Sequence, residues 1–240
     1  MKKIFLTFFT ALTVFFVTDS TTIAANNGEN YDDYPGIKIV VEELNADGSR
    51  EAIENLKKIA ALSEKELIDL NDILSNPDRL AEELSKPENL MVESVDMDYS
   101  EKVESYDMNY SRKLGLQKYS IRSSAFGYPG RVTVVTSLRA LGIDLIKYEL
   151  TGEFTVNITK TRFISADHMD GVVIRKWLPQ VITKKIGTPT KSVTDTQFTG
   201  QVTFSYDLGV GSWGIARIGV VRTGFTANTK QVTNSWAYPE

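Results

Sequence analysis

Beyond residue 117 the chain changes character, and that change limits its fold more than any other feature. Thr, Val, Ile, Tyr and Phe dominate, and helical periodicity disappears. Val202, Phe204, Tyr206 and Leu208 alternate with Thr203, Ser205 and Asp207, which describes a strand with one wet face. Strands are expected at 117–124, 131–138, 144–150, 152–162, 172–177, 180–185, 196–207, 214–224 and 230–238. Turn signals fall at Tyr128-Pro-Gly130, Asp170-Gly171 and Gly187-Thr-Pro189. Many short strands at this spacing predict an antiparallel sandwich or open barrel over 115–240.

The segment before it reads differently. Ser49 caps a stretch in which Ile53, Leu56, Ile59 and Leu62 recur at helical spacing. Ser63-Glu-Lys-Glu66 is a capping box, followed by Leu67, Leu70 and Leu74 on one face. Asn76-Pro77 starts another helix, and Pro87 stops it. Three short helices are expected within 49–86. Residues 26–48 read as a flexible acidic leader, with a short strand at Ile37–Leu44 (IKIVVEEL) and a turn at Asn45-Ala-Asp-Gly48. The fold class is therefore α+β: a short N-terminal helical segment followed by an all-β antiparallel domain.

Residues 87–114 read as a linker holding a tandem repeat. ESVDMDYSEKV (93–103) is followed by ESYDMNYSRKL (104–114), identical at seven of eleven positions. Val95, Met97 and Tyr99 sit two apart, as do Tyr106, Met108 and Tyr110, so the pattern fits extended chain. Two copies are too few for a solenoid.

The first 25 residues read as a secretory signal peptide. Lys2 and Lys3 precede an apolar run from Ile4 to Val17, and small residues stand at Ala24–Ala25. The run is shorter than the roughly 20 residues of a membrane-spanning helix. Export sets the expected location as extracellular. The chain has no cysteine. Thiol catalysis, thiolate zinc sites and disulfides are excluded, so packing alone must hold the fold.

Charge divides unevenly. Residues 26–113 carry 22 acidic against 10 basic residues, a net of −12. Residues 114–240 carry 8 against 15, a net of +7. Either the two halves match each other, or the second presents a cationic face to an anionic partner. Arg175, Lys176, Lys184, Lys185 and Lys191 cluster there.

Catalytic signals are weak. Gly209–Gly214 matches G-x-G-x-x-G, but a strand pattern follows where a dinucleotide site needs a helix. His168 is the single histidine and lies in a polar stretch expected to be a loop between strands. Glu149 and Glu153 flank an expected turn at Thr151-Gly152, and nothing marks them as a pair for hydrolysis. Glu29, Asp32 and Asp33 offer hard oxygens for a weak calcium contact. No catalytic residue, metal site or cofactor is assigned.

Aromatic residues are the better lead. Exposed Trp and Tyr can stack on sugar rings or seat at a membrane interface. Trp213 lies between glycines and Trp236 near the chain end. The expected ligand-binding residues are Trp213, Trp236, Arg175, Lys176, Lys184 and Lys185. The expected partner is an anionic cell-wall polymer, a membrane surface or a protein, with nucleic acid excluded for an exported acidic chain. A non-enzymatic binding module is the leading reading. A membrane-active secreted toxin is the alternative, and an extracellular hydrolase ranks below it.

The order of signal peptide, helical segment LSEKELIDLNDILSNPDRL (62–80) and β domain opening SLRALGIDLIKYELTGEFTV (137–156) resembles small secreted proteins of Gram-positive bacteria. The resemblance implies export and a β-rich C-terminal domain. It implies no activity.

Overall fold

The computed structural model describes residues 31–99, 127–210 and 214–240. The expected signal peptide and the second repeat copy lie outside them. Among the described residues, four helices precede eight strands: α1 (Pro35–Asp47), α2 (Arg50–Ala60), α3 (Glu64–Ser75), α4 (Pro77–Leu84), then β1 (Leu90–Tyr99), β2 (Gly127–Ala140), β3 (Ile143–Asn157), β4 (Phe163–Lys176), β5 (Val181–Val193), β6 (Phe198–Val210), β7 (Gly214–Ala227) and β8 (Val232–Pro239).

Local sequence sets the helix starts. Ser49 accepts the Ala52 amide, Ser63 and Glu66 complete their capping box, and the Asn76 side chain accepts the amides of Asp78 and Arg79. Residues 35–47 correct the expected leader and strand. Ile37, Val40 and Leu44 are spaced three and four apart and all are buried, so a helical face outweighs the apolar run. Pro35 opens this helix, and Gly48 closes it in the left-handed region at φ 61°. The Gly36 amide donates to Asn71 Oδ1 at 2.9 Å, tying α1 to α3.

The strands form two antiparallel meanders. Sheet A runs β1-β2-β3-β4 and sheet B runs β5-β6-β7-β8. β4 lies beside β5 and β1 beside β8, so the order continues around the molecule while the strand ladders stay within each sheet. The result is an α+β protein with a β-sandwich.

Several strand boundaries differ from expectation. Residues 90–99, read as linker, form the edge strand β1 with Met97 and Tyr99 packed on the core. The expected strands at 144–150 and 152–162 are one strand, β3, which passes straight through Gly152. The stretch around His168, read as a loop, lies inside β4. Asp170-Gly171 and Gly187-Thr-Pro189 stay within strands instead of turning the chain. At Gly187, with φ 66°, the β5–β6 ladder shifts between Ile186 and Thr190 while the strand runs on. Elsewhere the reason lies in the interior. A Cβ on Gly130 would meet the Phe154 ring at 2.4 Å, and one on Gly152 would meet Phe225 at 2.8 Å. These glycines make room for rings between close sheets.

Phe154 is the hub of that interior. It meets Tyr99 edge-on at 5.7 Å, Phe163 edge-on at 5.2 Å and Phe198 at 5.5 Å, and Phe198 meets Phe225 at 5.2 Å. Nearer the helices, Tyr148 stacks on Phe204 at 4.6 Å. Thr136 and Thr223 bridge the sheets through their hydroxyls at 2.9 Å.

The helices dock where β2 ends and β3 begins. α4 touches both sheets, and Leu84 O accepts the Tyr206 hydroxyl at 3.2 Å. Burial pushes that phenol up to about 12. Asn55 exchanges two hydrogen bonds with the Asp144 backbone, at 3.0 and 3.2 Å. The Trp177 indole donates to Asp47 at 2.8 Å. A charge network surrounds these contacts. Arg139 binds both Asp144 and Glu93, while Lys147 binds Glu93 at 2.6 Å and Glu51 at 3.4 Å. Lys58 of α2 reaches Asp144 at 3.3 Å. Acidic residues of the first half, Glu51 of α2 and Glu93 of β1, thus meet cationic residues of the second, one of the two outcomes the uneven charge allows.

Two outcomes follow. Gly130→Ala forces the pinned Phe154 ring to move and costs about 1–3 kcal/mol in thermal or urea unfolding. Asp144 is nearly buried; burial raises its carboxyl, but Arg139, Lys58 and Lys147 outweigh this and hold it below the usual carboxylate range. A lowered folded value adds stability above the unfolded value near about 3.9, lost as pH falls through the folded one. Asp144→Asn therefore costs about 3 kcal/mol near neutral pH, and its deficit against the native chain shrinks below about pH 4, read by urea unfolding across pH.

Candidate functional site

The outer face of sheet B carries the most organised surface. Inward-facing Phe198, Val202 and Phe204 on β6 alternate with outward-facing Thr199, Gln201 and Thr203. On β7, Phe225 points inward and Gly224 outward. Pairing aligns these outward positions into rows. One row runs Trp236, Gly224, Gln201, Thr190. Its neighbour runs Asn234, Thr226, Thr199, Ser192.

Trp236 lies over Gly224, half-buried. A Cβ on that glycine would meet the indole at 2.2 Å, so only glycine lets the ring rest against β7. Tyr238 lies nearly parallel to it, with ring centroids 5.2 Å apart and planes 19° apart. Arg222 sits over the Tyr238 ring at 5.8 Å and donates to its hydroxyl at 3.3 Å. Its other arm holds Glu240 at 2.5 Å. Beside the indole, an open groove of ≈ 370 Å³ is bordered by Thr190, Ser192, Thr199, Gln201 and Thr226. Lys191 also borders it, and its ammonium is turned to the Asp167 carbonyl at 2.6 Å. The groove therefore presents one aromatic wall and a floor of neutral hydroxyl and amide groups.

The expected basic stretch does not join this site. Arg175 faces Asp47 at 3.5 Å and Glu51 at 3.9 Å on the helices. Lys176 donates to the Val181 carbonyl at 3.0 Å. Lys185 binds Asp170 across the β4–β5 seam and, by that hydrogen bond, holds the carboxyl below its usual range. Lys184 is exposed and pairs in register with Ser205, four residues along β6 from Gln201, roughly 13 Å. Trp213 lies outside the described residues. Trp177, the third tryptophan, is core.

A second groove of ≈ 410 Å³ lies on sheet A, bordered by Asp98, Arg131, Glu153 and Asp167. Arg131 and Glu153 neutralise each other at 2.8 Å. His168 is exposed and pairs in register with Glu153. Glu149 accepts from Thr151 at 3.2 Å, and no turn separates it from Glu153. Asp32, weighed above for calcium, binds Lys38 at 2.7 Å, and Glu29 lies outside the described residues. Among the described residues, no group of three or more His, Asp or Glu stands ready to hold a metal. Gly214 opens strand β7, so no helix N-terminus follows the glycine motif to receive a phosphate.

Sequence reasoning named Trp236 and missed its surroundings. The available signal was the run of polar residues two apart at Thr199, Gln201 and Thr203, and the glycine directly before Phe225.

Gly224→Val displaces the Trp236 ring while leaving the inward face of β7 unchanged. In a Trp213→Phe background, acrylamide then quenches fluorescence more strongly than in the Gly224 parent, because the remaining Trp177 is buried. No protein-family model, curated protein or solved structure matches the chain.

Proposed function

We propose that this protein is a secreted, non-enzymatic binding module that holds a polyhydroxylated segment of an extracellular surface polymer on the outer face of sheet B. The observation that carries the reading is the Trp236 ring laid over Gly224 beside a groove of hydroxyl and amide groups. An aromatic face covers the apolar side of a sugar ring, and flanking hydroxyls exchange hydrogen bonds with its edge. Export is supported by Lys2-Lys3, the apolar run Ile4–Val17 and Ala24–Ala25.

The ligand class follows from charge. An anionic polymer needs free cations beside the stacking surface. Arg175, Lys185 and Lys191 are turned to partners elsewhere in the protein. A neutral glycan fits the groove better than an anionic one.

Retention of the mature protein on insoluble cell-wall polysaccharide tests the reading. Binding at both low and high salt is expected, since stacking and neutral hydrogen bonds are little screened. Trp236→Ala removes a central anchor worth about 2 kcal/mol, roughly a thirtyfold loss of affinity. Retention by Trp236→Ala equal to the native chain contradicts the reading.

A further inference from the structure

The groove on sheet B crosses the strands instead of following one. Its border draws on all four: Thr190 and Ser192 of β5, Thr199 and Gln201 of β6, Thr226 of β7 and Trp236 of β8. The indole rests over Gly224, so the aromatic wall stands on β7 and the open floor continues over β6 and β5. Neighbouring strands lie about 4.8 Å apart, so the span from β7 to β5 is about 10 Å.

The polar groups of this floor are uncommitted. Among the described residues, none hydrogen-bonds the side chains of Thr190, Ser192, Gln201 or Thr226. Ser192 and Thr226 use only their main-chain carbonyls, which accept from Thr199 at 3.5 Å and from Thr233 at 3.0 Å. The outer face of sheet A is built the opposite way. Thr155 and Ser165 donate to Asp167 at 2.7 and 2.6 Å, Thr151 donates to Glu149, and Arg131 pairs with Glu153. One face pairs its polar groups with each other, and the other leaves them open to a ligand.

We propose that the groove is a row of three sugar subsites, and that its ligand is a linear neutral glycan of at least three units lying across the strands. The inference rests on the glycan reading of this face. A pyranose unit with its linkage is about as long as the strand spacing, so one unit falls on each strand. The first packs its apolar face on the Trp236 indole over β7. The second lies over β6, where the Gln201 amide both donates and accepts. The third lies over β5 and meets the Thr190 and Ser192 hydroxyls. There the row ends. β5 is the last strand of sheet B, and beyond it Lys191 bridges to the Asp167 carbonyl of β4 at 2.6 Å.

Calorimetric titration of the protein with gluco- and chito-oligosaccharides of one to five units tests the subsites. In the series that binds, affinity is expected to rise about fivefold with each of the second and third units, roughly one net hydrogen bond apiece, and to level off from three to five. T190V/S192A is expected to weaken the trisaccharide about fivefold more than the disaccharide, whereas Trp236→Ala weakens both alike. Affinity equal at every length, or still rising to five units, overturns the three-subsite inference and leaves the stacking site standing. A T190V/S192A loss equal at two and three units does the same. Absence of binding at every length overturns the glycan reading itself, and this inference with it.

Discussion

Everything in this sandwich depends on how the Phe154 ring is seated. Without a disulfide, two four-stranded sheets must hold each other by side-chain contact alone. Phe154 meets three other rings, from β1, β4 and β6, and so links both sheets at one point. Gly130 and Gly152 clear the space that these rings fill. The glycines lower local strand preference, and the rings they admit restore more than that loss through buried area and edge-to-face contact. The edge strand β1 is held by the same cluster, because Tyr99 is one of its rings.

The outer faces follow from that inner packing. Once Phe225 points inward, Gly224 must point outward, and its missing side chain is the seat for Trp236. One alternation therefore serves two purposes: large residues fill the core, and a gap on the opposite face receives an indole. The helices answer a separate need. Glu51 meets Lys147 and, with Asp47, Arg175, while Glu93 of β1 holds Arg139 and Lys147, so part of the charge imbalance is resolved within the molecule. The proposed site, in consequence, is neutral in character rather than cationic.

How much of this was legible in the sequence depends on the range of the interactions. Ser49, Ser63 and Asn76 announced three helix starts because a cap acts on residues within one turn. The class of the second half was equally plain from its alternation. Gly152 and Asp170-Gly171 misled, because a glycine that accommodates a distant ring looks the same as one that turns the chain; Gly187, at φ 66° with open space about it, marks a break in the β5–β6 ladder instead of a turn. Ile37–Leu44 misled for the opposite reason: its β-branched run obscured a three-and-four spacing that matters only once α3 is there to receive it. Trp236 stood out by type. The row that gives it a role is assembled from β5, β6, β7 and β8, and register across four strands is not written in any one of them.

The central claim is that the outer face of sheet B is a neutral, polyol-binding surface. Backbone amide chemical shifts of the protein, followed during titration with soluble neutral gluco- and chito-oligosaccharides, test it most directly. The account predicts perturbations confined to residues 190–192, 199–201, 224–226 and 234–238, unchanged by added salt. Perturbations centred on Arg175, Lys184 and Lys185, or none with any of these sugars, would contradict it.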